Sequence, residues 1–502
     1  MASKRSAKKG ILALCSCIIA LPCIAQSSAV KEINRINPPS VALSPLRFLA
    51  SDELMGRSAL RPEINIAALY ISEQFRSMGI REVPGAPDYF QLFDIKTTIP
   101  STKVSFVVNG KDFELATDML KLDGDDIQVS APVVYAGFGL KADFDKLDVK
   151  GKIVITTLGT SDSSRLHEGF DAMEGKVKLA KEKGAVALIE LFKKNDPAWD
   201  RFTRRFTDKE ERVKMEDFDF PLFLLRDKNI DFPALIKGLP ADGVLSTSGG
   251  HERPIPAKNV MGWVEGTDVR LKKQFIVLTA HYDHLGVAKQ PKLEEGKMDS
   301  IYNGARDNAA GTAAVLDAAR YFALHPPKRS VLFIVYTAEE IGEKGSQYFS
   351  EHPTIPLREL VYNLNTDNAS YNDTTIISVI GLGRTSADDD IKKGCAAYGL
   401  TALPDPAPKE GLFDRSDNAN LAQKGVPAPT FSLGIKQFDQ SITNRYHQLS
   451  DEVGNFDLNY AMKYIYSFIL SAKYIADDER QPHWAKSDKY ETAWENLYGA
   501  AN

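Results

Sequence analysis

The sequence predicts an α/β body, a mixed and mostly parallel sheet flanked by helices, with a β-rich α+β unit inserted into it. Three observations carry this reading. From about residue 256 onward, the runs 275–278, 331–336 and 360–364 are largely apolar, as strands covered on both faces must be. Between the first two lies 308–324, an alanine-rich stretch suited to a helix packed closely on a sheet. From about 100 to 250 the pattern changes to short β-rich runs at 104–108, 132–135, 153–157, 186–191 and 220–225, with one helical stretch at 173–183 ending at Gly184.

In chain order, residues 1–25 read as a secretory signal peptide. Lys4, Arg5, Lys8 and Lys9 form its basic start, an apolar run follows over 11–24, and Cys23-Ile24-Ala25 resembles a small-residue cleavage site. An exported protein, periplasmic or extracellular, is therefore expected. A lipid-attachment box at Leu14-Cys15-Ser16-Cys17 falls too early in the apolar run to be preferred. No later stretch reaches about 18 apolar residues, so no transmembrane segment is expected. Of the 4 cysteines, Cys15, Cys17 and Cys23 lie in this leader, which leaves Cys395 alone. An internal disulfide is thus excluded, and Cys395 reads as a small buried hydrophobe.

At 502 residues, 43% hydrophobic and 26% charged, the chain can bury more than one core. The net charge of −5, about −9 without the four basic leader residues, offers no electrostatic footprint for nucleic acid. Residues from about 40 to 95 read as helical, with starts at Ser44-Pro45 and Asp52-Glu53 and a C-cap at Gly79. The predicted division is 26–100 as the first part of the α/β body, 101–255 as the insert, and 256–480 as the body resumed. A tail at 481–502, with Trp484, Trp494 and Tyr498, is expected to fold back as a helix or arm. Asp123, Asp125, Asp126 and Lys193-Lys194 within the insert read as solvated loop charges.

The polar residues at the strand ends decide the function. The strand at 275–278 runs into Thr279-Ala280-His281-Tyr282-Asp283-His284, and Gly304-Ala305-Arg306-Asp307-Asn308 opens the alanine-rich helix. The strand at 331–336 ends in Thr337-Ala338-Glu339-Glu340, and that at 360–364 in Asn365-Thr366-Asp367. His447 sits in the polar loop Arg445-Tyr446-His447-Gln448. In open α/β sheets ligands bind beyond the carboxyl ends of the strands. Two imidazoles and three carboxylates converging there suit borderline divalent metals, above all zinc, and one carboxylate can bridge two ions. A further acid that is not a ligand would serve as base toward water, and adjacent Glu339 and Glu340 offer that division. Each piece alone has a bland explanation. Glu-Glu at a helix start complements the dipole, Asp307 caps a helix, and His281 and Asp283 form a structural pair. His284 reads as structural or supporting, Asp367 as a turn cap and His447 as a surface residue. Five such pieces at five element ends are harder to explain that way.

The pattern resembles the two-zinc exopeptidase family of aminopeptidase Y, the secreted bacterial aminopeptidases and glutamate carboxypeptidase. The matching runs are Ala280-His281-Tyr282-Asp283-His284-Leu285-Gly286, Asn303-Gly304-Ala305-Arg306-Asp307-Asn308, Ala338-Glu339-Glu340-Ile341-Gly342, Asn365-Thr366-Asp367 and Tyr446-His447. The likeness covers about 256–475 and extends to Phe48-Leu49-Ala50-Ser51-Asp52-Glu53-Leu54 and Gly56-Arg57. The insert, with Tyr135-Ala136-Gly137-Phe138-Gly139, looks like the protease-associated domain found in this family.

The resemblance implies two zinc ions bridged by Asp307, with His281 and Asp367 on one ion and Glu340 and His447 on the other. Glu339 would be the general base, Asp283 would orient His281, and Tyr446 would donate to the developing oxyanion. The implied function is a secreted zinc aminopeptidase that removes residues from the N-terminus of peptides or proteins through a water activated between two metals. Departures fall in the pocket. Asn368-Ala369-Ser370 replaces the usual Met-x-Gly after Asp367, and Asn418 follows Arg415-Ser416-Asp417 where His is common. A carboxypeptidase of the glutamate carboxypeptidase type would need a basic pocket, for which Arg384 and Arg415 are the nearby arginines. A one-zinc glutaminyl cyclase is disfavoured by the insert, and a non-catalytic binding protein by the intact Glu339. The preferred first residue, the oligomeric state and the role of the insert are not legible in the sequence.

Overall fold

The computed structural model describes residues 28–499 except 162–165, 194–195, 208–211, 215–217, 228–231, 237–241 and 295, so the signal peptide expected at 1–25 lies outside the described residues. The strands of the larger sheet are β1 (Phe90–Ile99), β2 (Arg212–Val213), β3 (His251–Val264), β4 (Phe275–His281) and β5 (Ser330–Tyr336). They continue with β6 (Leu360–Thr366), β7 (Ile376–Ile380), β8 (Thr401–Pro404) and β9 (Thr430–Leu433). Their order across the sheet is β8-β7-β9-β6-β4-β5-β3-β1-β2, with Arg81–Glu82 pairing to β3 off this path. The middle strands β9, β6, β4 and β5 run parallel, and the flanks are mixed.

The apolar runs behave as doubly covered strands. In β4 and β5, Ile276, Leu278, Val331 and Phe333 point into one core and Val277, Leu332 and Ile334 into another. The first core is closed by α1 (Ser28–Ile36), α2 (Pro39–Leu49), α3 (Ile64–Ser77), α4 (Gly311–Leu324) and α6 (Leu458–Asp477). The second is closed in part by Phe349 of α5 (Lys344–Glu351) and by Leu421. Ala313, Ala314, Ala318 and Ala319 of α4 are fully buried, so small side chains let that helix lie close on the sheet. Each large side chain so buried contributes about 1.5–3 kcal/mol. The tail returns as α7 (Glu491–Tyr498), with Trp484 and Trp494 packed beside Phe413 and Tyr490.

Two local expectations change. The helical reading of 40–95 fails beyond Ser77, because Phe90–Ile99 is a strand. Phe93, Ile95 and Thr97 are buried there while Leu92, Asp94 and Lys96 are exposed, a period of two that overrides the helical spacing upstream. The helix expected to start at Ser44-Pro45 is α2, which begins earlier. Pro39 occupies its first turn, where a missing N–H is harmless, and Pro45 is carried inside the helix.

Eight strands drawn from 103–248 build a second sheet, whose centre is Gln128–Tyr135, Ile153–Thr157, Ala187–Phe192 and Leu222–Arg226, all parallel. It has its own apolar cluster on each face. Lys176 and Glu190 form a buried ion pair inside it at 3.0 Å. Asp123 is not the solvated loop charge expected, since it is buried, 2.7 Å from Lys214, and accepts the Phe218 amide at 2.7 Å. The chain enters and leaves this region along β1 and β3, which pair antiparallel from Phe90↔Val260 to Ile99↔His251.

Candidate metal centre

Three adjacent parallel strands, β6, β4 and β5, end at one place. His281 closes β4, Asp367 follows β6, and Glu339 and Glu340 follow β5. Asp307 enters through the turn Ala305–Ala310 that leads into α4, and His447 from the loop after the short helix Gln440–Thr443. Gly304 makes the entry of Asp307 possible. Its φ is +55°, and a Cβ there would lie 2.2 Å from the Asp307 carbonyl and 2.6 Å from the His284 ring.

The side chains meet in two groups joined by one carboxylate. His281 Nε2 lies 3.2 Å from Asp367 Oδ1, 3.3 Å from Asp307 Oδ1 and 3.9 Å from Glu339 Oε2. His447 Nε2 lies 3.2 Å from Asp307 Oδ2 and 3.1 Å from Glu340 Oε2. The two oxygens of Asp307 therefore face two different histidines. His281, Glu339 and Asp367 offer donor atoms close enough to share one ion, and so do His284, Asp307 and Glu340. The donor set, imidazole nitrogen with carboxylate oxygen, fits zinc. Four carboxylates packed this tightly also call for a cation to offset their repulsion. Burial, and then the neighbouring Asp367, Asp417 and Glu340, hold the Glu339 carboxyl well above the usual range against the opposing pull of His281. Burial alone would push the His281 imidazole down, but the charges of Glu339 and Asp367 raise it well above its ordinary value.

The contact of Asp283 with His281 runs through its backbone. His281 Nδ1 faces the backbone carbonyl of Asp283 at 3.2 Å, while the Asp283 carboxylate stands 3.8 Å away. That carboxylate instead accepts the backbone N–H groups of Glu339 at 3.2 Å and Glu340 at 3.3 Å. Burial, with Glu340 adding and His281 opposing, pushes Asp283 up to about 6. His284 Nδ1 lies 2.5 Å from Glu340 Oε1, which leaves Oε2 to face His447. Tyr446 stacks on the His447 ring with centroids 3.9 Å apart.

A cavity of about 70 Å³ opens on this group. Asp307, Glu339, Asp367, Tyr446 and His447 line it together with apolar Ile380, Leu412, Ile435 and Phe438, and with Arg415. Arg384 does not reach it. Its guanidinium is paired with Asp488 at 2.7 and 3.0 Å and lies over the Phe413 ring. A larger cleft of about 920 Å³, lined by Leu60, Leu92, Ile255 and Tyr348 among others, contains none of the expected site residues. Cys395 is buried away from the centre, and burial pushes its thiol up to about 12.

The pocket departures have local reasons. Asn368, where Met is usual, donates to Asn308 Oδ1 at 3.1 Å and Tyr464 Oη at 3.0 Å and accepts the Leu433 amide at 2.9 Å. Asn418 donates to the carbonyls of Phe413 and Ala428 at 3.2 and 3.0 Å, closing its own loop. Sequence reasoning gave no role to Asp451, which binds the backbone of Arg306 and Asp307, or to Asn308 and Tyr464. Asn308 stands next to Asp307 and Asp451 four positions after His447, the one signal available for them, whereas Tyr464 is far from any ligand in sequence.

Comparison with known proteins follows the same outline. Residues 259–468 match the model of Peptidase family M28. The chain is 23% identical over 383 residues to aminopeptidase YwaD of Bacillus subtilis, covering 72% of this chain and 70% of that protein. It is 30% identical over 98 residues to a probable zinc metalloprotease of Pyrenophora tritici-repentis, 20% of this chain and 19% of that protein. An aminopeptidase structure from Aneurinibacillus sp. strain AM-1 shares the fold, with a TM-score of 0.51 at 18% identity over 90% of this chain and 97% of that one.

Proposed function

From the premise that residues 259–468 form a Peptidase family M28 domain, and the chain is thus a zinc metallopeptidase, we propose that it is an exported aminopeptidase holding two zinc ions. The observation that carries this reading is the placement of Asp307 between His281 and His447, one carboxylate oxygen toward each. In this reading His281 and Asp367 would hold one ion, Glu340 and His447 the other, and Asp307 would serve both. Bound zinc supplies Lewis-acid polarisation of a peptide carbonyl and makes water more acidic.

The remaining work falls to the chain itself. Glu339 lines the cavity beside Asp307 and Asp367, and in this reading it takes a proton from the attacking water and passes it to the leaving amine. Asp283 keeps Glu339 and Glu340 in register by holding both of their backbone amides. Tyr446 lines the same cavity and is the candidate donor to the oxyanion. The inserted sheet, as a protease-associated-like unit, and export by the signal peptide belong to the same proposal.

Arg415 in the cavity lining is the one observation that favours a carboxypeptidase acting on acidic C-terminal residues. A panel of aminoacyl amides with free and blocked N-termini, and of N-blocked peptides with free C-termini, separates the two. Zinc-dependent cleavage of free-amine substrates only, lost in Glu339→Gln with metal still bound, is the expected result. Cleavage only from free C-termini would move the assignment to carboxypeptidase. Two bound zinc ions without turnover of any substrate would count against both.

A further inference from the structure

Arg57 lies far ahead of residue 259, where the family match begins, yet it is wired into the metal centre. Its side chain is fully buried and donates to four backbone carbonyls in three separate segments. Nε reaches Tyr282 O at 2.8 Å, Nη1 reaches Asn303 O at 2.5 Å and also Leu49 O, and Nη2 reaches Gly304 O at 3.1 Å. The Arg57 carbonyl in turn accepts the His284 amide at 3.1 Å. Tyr282 sits directly after His281, and Gly304 three residues before Asp307. No carboxylate among the described residues comes within ion-pair distance of this guanidinium, so its contacts are with main chain only. The turn that presents it is built for close approach. Gly56 has φ +67°, and a Cβ there would lie 2.2 Å from the Gly286 carbonyl at the far end of the His281–Leu285 loop.

We infer that Arg57 is a positioning residue of the metal centre, clamping the loop of His281 to the loop of Asp307 and so setting the spacing of ligands. The inference rests on the metal reading above. A planar fork with fixed donor directions can hold several carbonyls at once, which a lysine ammonium on a flexible stem cannot.

Charge and position predict opposite signs, which makes the inference testable. Removing a positive charge near Asp283, Asp307 and Glu340 should tighten cation binding, whereas releasing the loops should weaken it. The experiment compares the full chain with Arg57→Lys and Arg57→Met by zinc titration against a chelator, the visible spectrum of the cobalt form, and thermal unfolding. The expected result is a loss of zinc affinity of about 10–100-fold in both variants, the range found for groups that orient ligands, with altered cobalt bands at temperatures where each is folded. Arg57→Lys keeps the charge and supplies the answer should Arg57→Met not fold. Unchanged zinc affinity and cobalt bands beside a lowered Tm would overturn the inference and leave Arg57 a fold-stabilising residue only. Tighter zinc in Arg57→Met would overturn it in favour of a pure charge effect. A wild-type chain that binds no zinc would sink the metal reading itself, a result distinct from variants that match a zinc-binding wild type.

Discussion

Asp451 holds Asp307 from behind, its Oδ2 accepting the Asp307 backbone amide at 3.1 Å. The same carboxylate takes the Arg306 amide at 2.9 Å and the Arg306 guanidinium at 2.8 Å, all of it buried. Because Asp451 stands on the loop that also carries His447, one side chain places two ligands relative to each other.

Asp451→Asn keeps the shape but leaves Arg306 without its buried counter-charge. Breaking a buried pair this way costs about 3–5 kcal/mol, so a large drop in denaturation midpoint is expected. Zinc affinity should fall by about 10–100-fold as well. Stability lost with zinc affinity intact would mean that the pair supports the fold alone.

Tyr446→Phe separates two roles of one ring. Phenylalanine preserves the stack on His447 and removes only the hydroxyl. If the hydroxyl donates to the oxyanion, kcat should fall by about 10²–10³-fold with KM little changed. Wild-type kcat in this variant would reduce Tyr446 to a packing group.

The buried Lys176–Glu190 pair should show an asymmetry in stability. Burial pulls the Lys176 ammonium down and pushes the Glu190 carboxyl up, each against the attraction of its partner. Desolvation therefore outweighs attraction, and the pair holds little net stability. Lys176→Met alone strands Glu190 and should cost about 3–5 kcal/mol, while Lys176→Met with Glu190→Leu should come back close to wild type. Urea denaturation of the three proteins checks this, and equal losses in single and double variants would contradict it.

A pH effect is expected at Asp317 of α4. It is fully buried and paired with Arg320, but burial pushes its carboxyl up from 3.8 to about 7. Between those values the folded chain holds a proton that the unfolded chain has lost. Stability contributed by this group is thus fully present below about pH 4 and falls as pH rises to 7, by on the order of 4 kcal/mol at 1.36 kcal/mol per unit. Asp317→Asn should flatten that slope when unfolding free energies at pH 5 and pH 8 are compared. An unchanged slope would mean that Asp317 does not carry it.

The sequence was most legible where one physical demand acts on neighbouring residues. Strands covered on both faces must be apolar, which marked β4, β5 and β6 and with them His281, Glu339, Glu340 and Asp367 at their ends. Short-period alternation in β1 is masked by the helical pattern just before it, and the start of α2 is obscured because Pro45, carried inside the helix, has the look of a helix start. Gly56-Arg57 stands out only as part of the family likeness, and the clamping contacts of Arg57 and Asp451 are not legible for another reason. Arg57 binds Tyr282 across 225 residues and Asp451 binds Arg306 across 145, and donation to a backbone carbonyl leaves no requirement on the partner's side chain. The resemblance implies that Asp283 orients His281, and the fold adds a contact that no pattern in the sequence marks, the Asp283 carboxylate accepting the Glu339 and Glu340 amides.

The reach of Arg57 also sets a timetable for synthesis. At about 5–20 residues per second, the 225 residues separating it from Tyr282 take roughly 10–45 s to emerge from a ribosome. The four strands at the centre of the second sheet are complete by Arg226, before any of β4 has been made. The nascent α2 and α3 must therefore wait for their sheet with apolar faces such as Leu46, Leu49, Ile71 and Phe75 uncovered. Until β4 and β5 have been made, α2 and α3 have no sheet to close on.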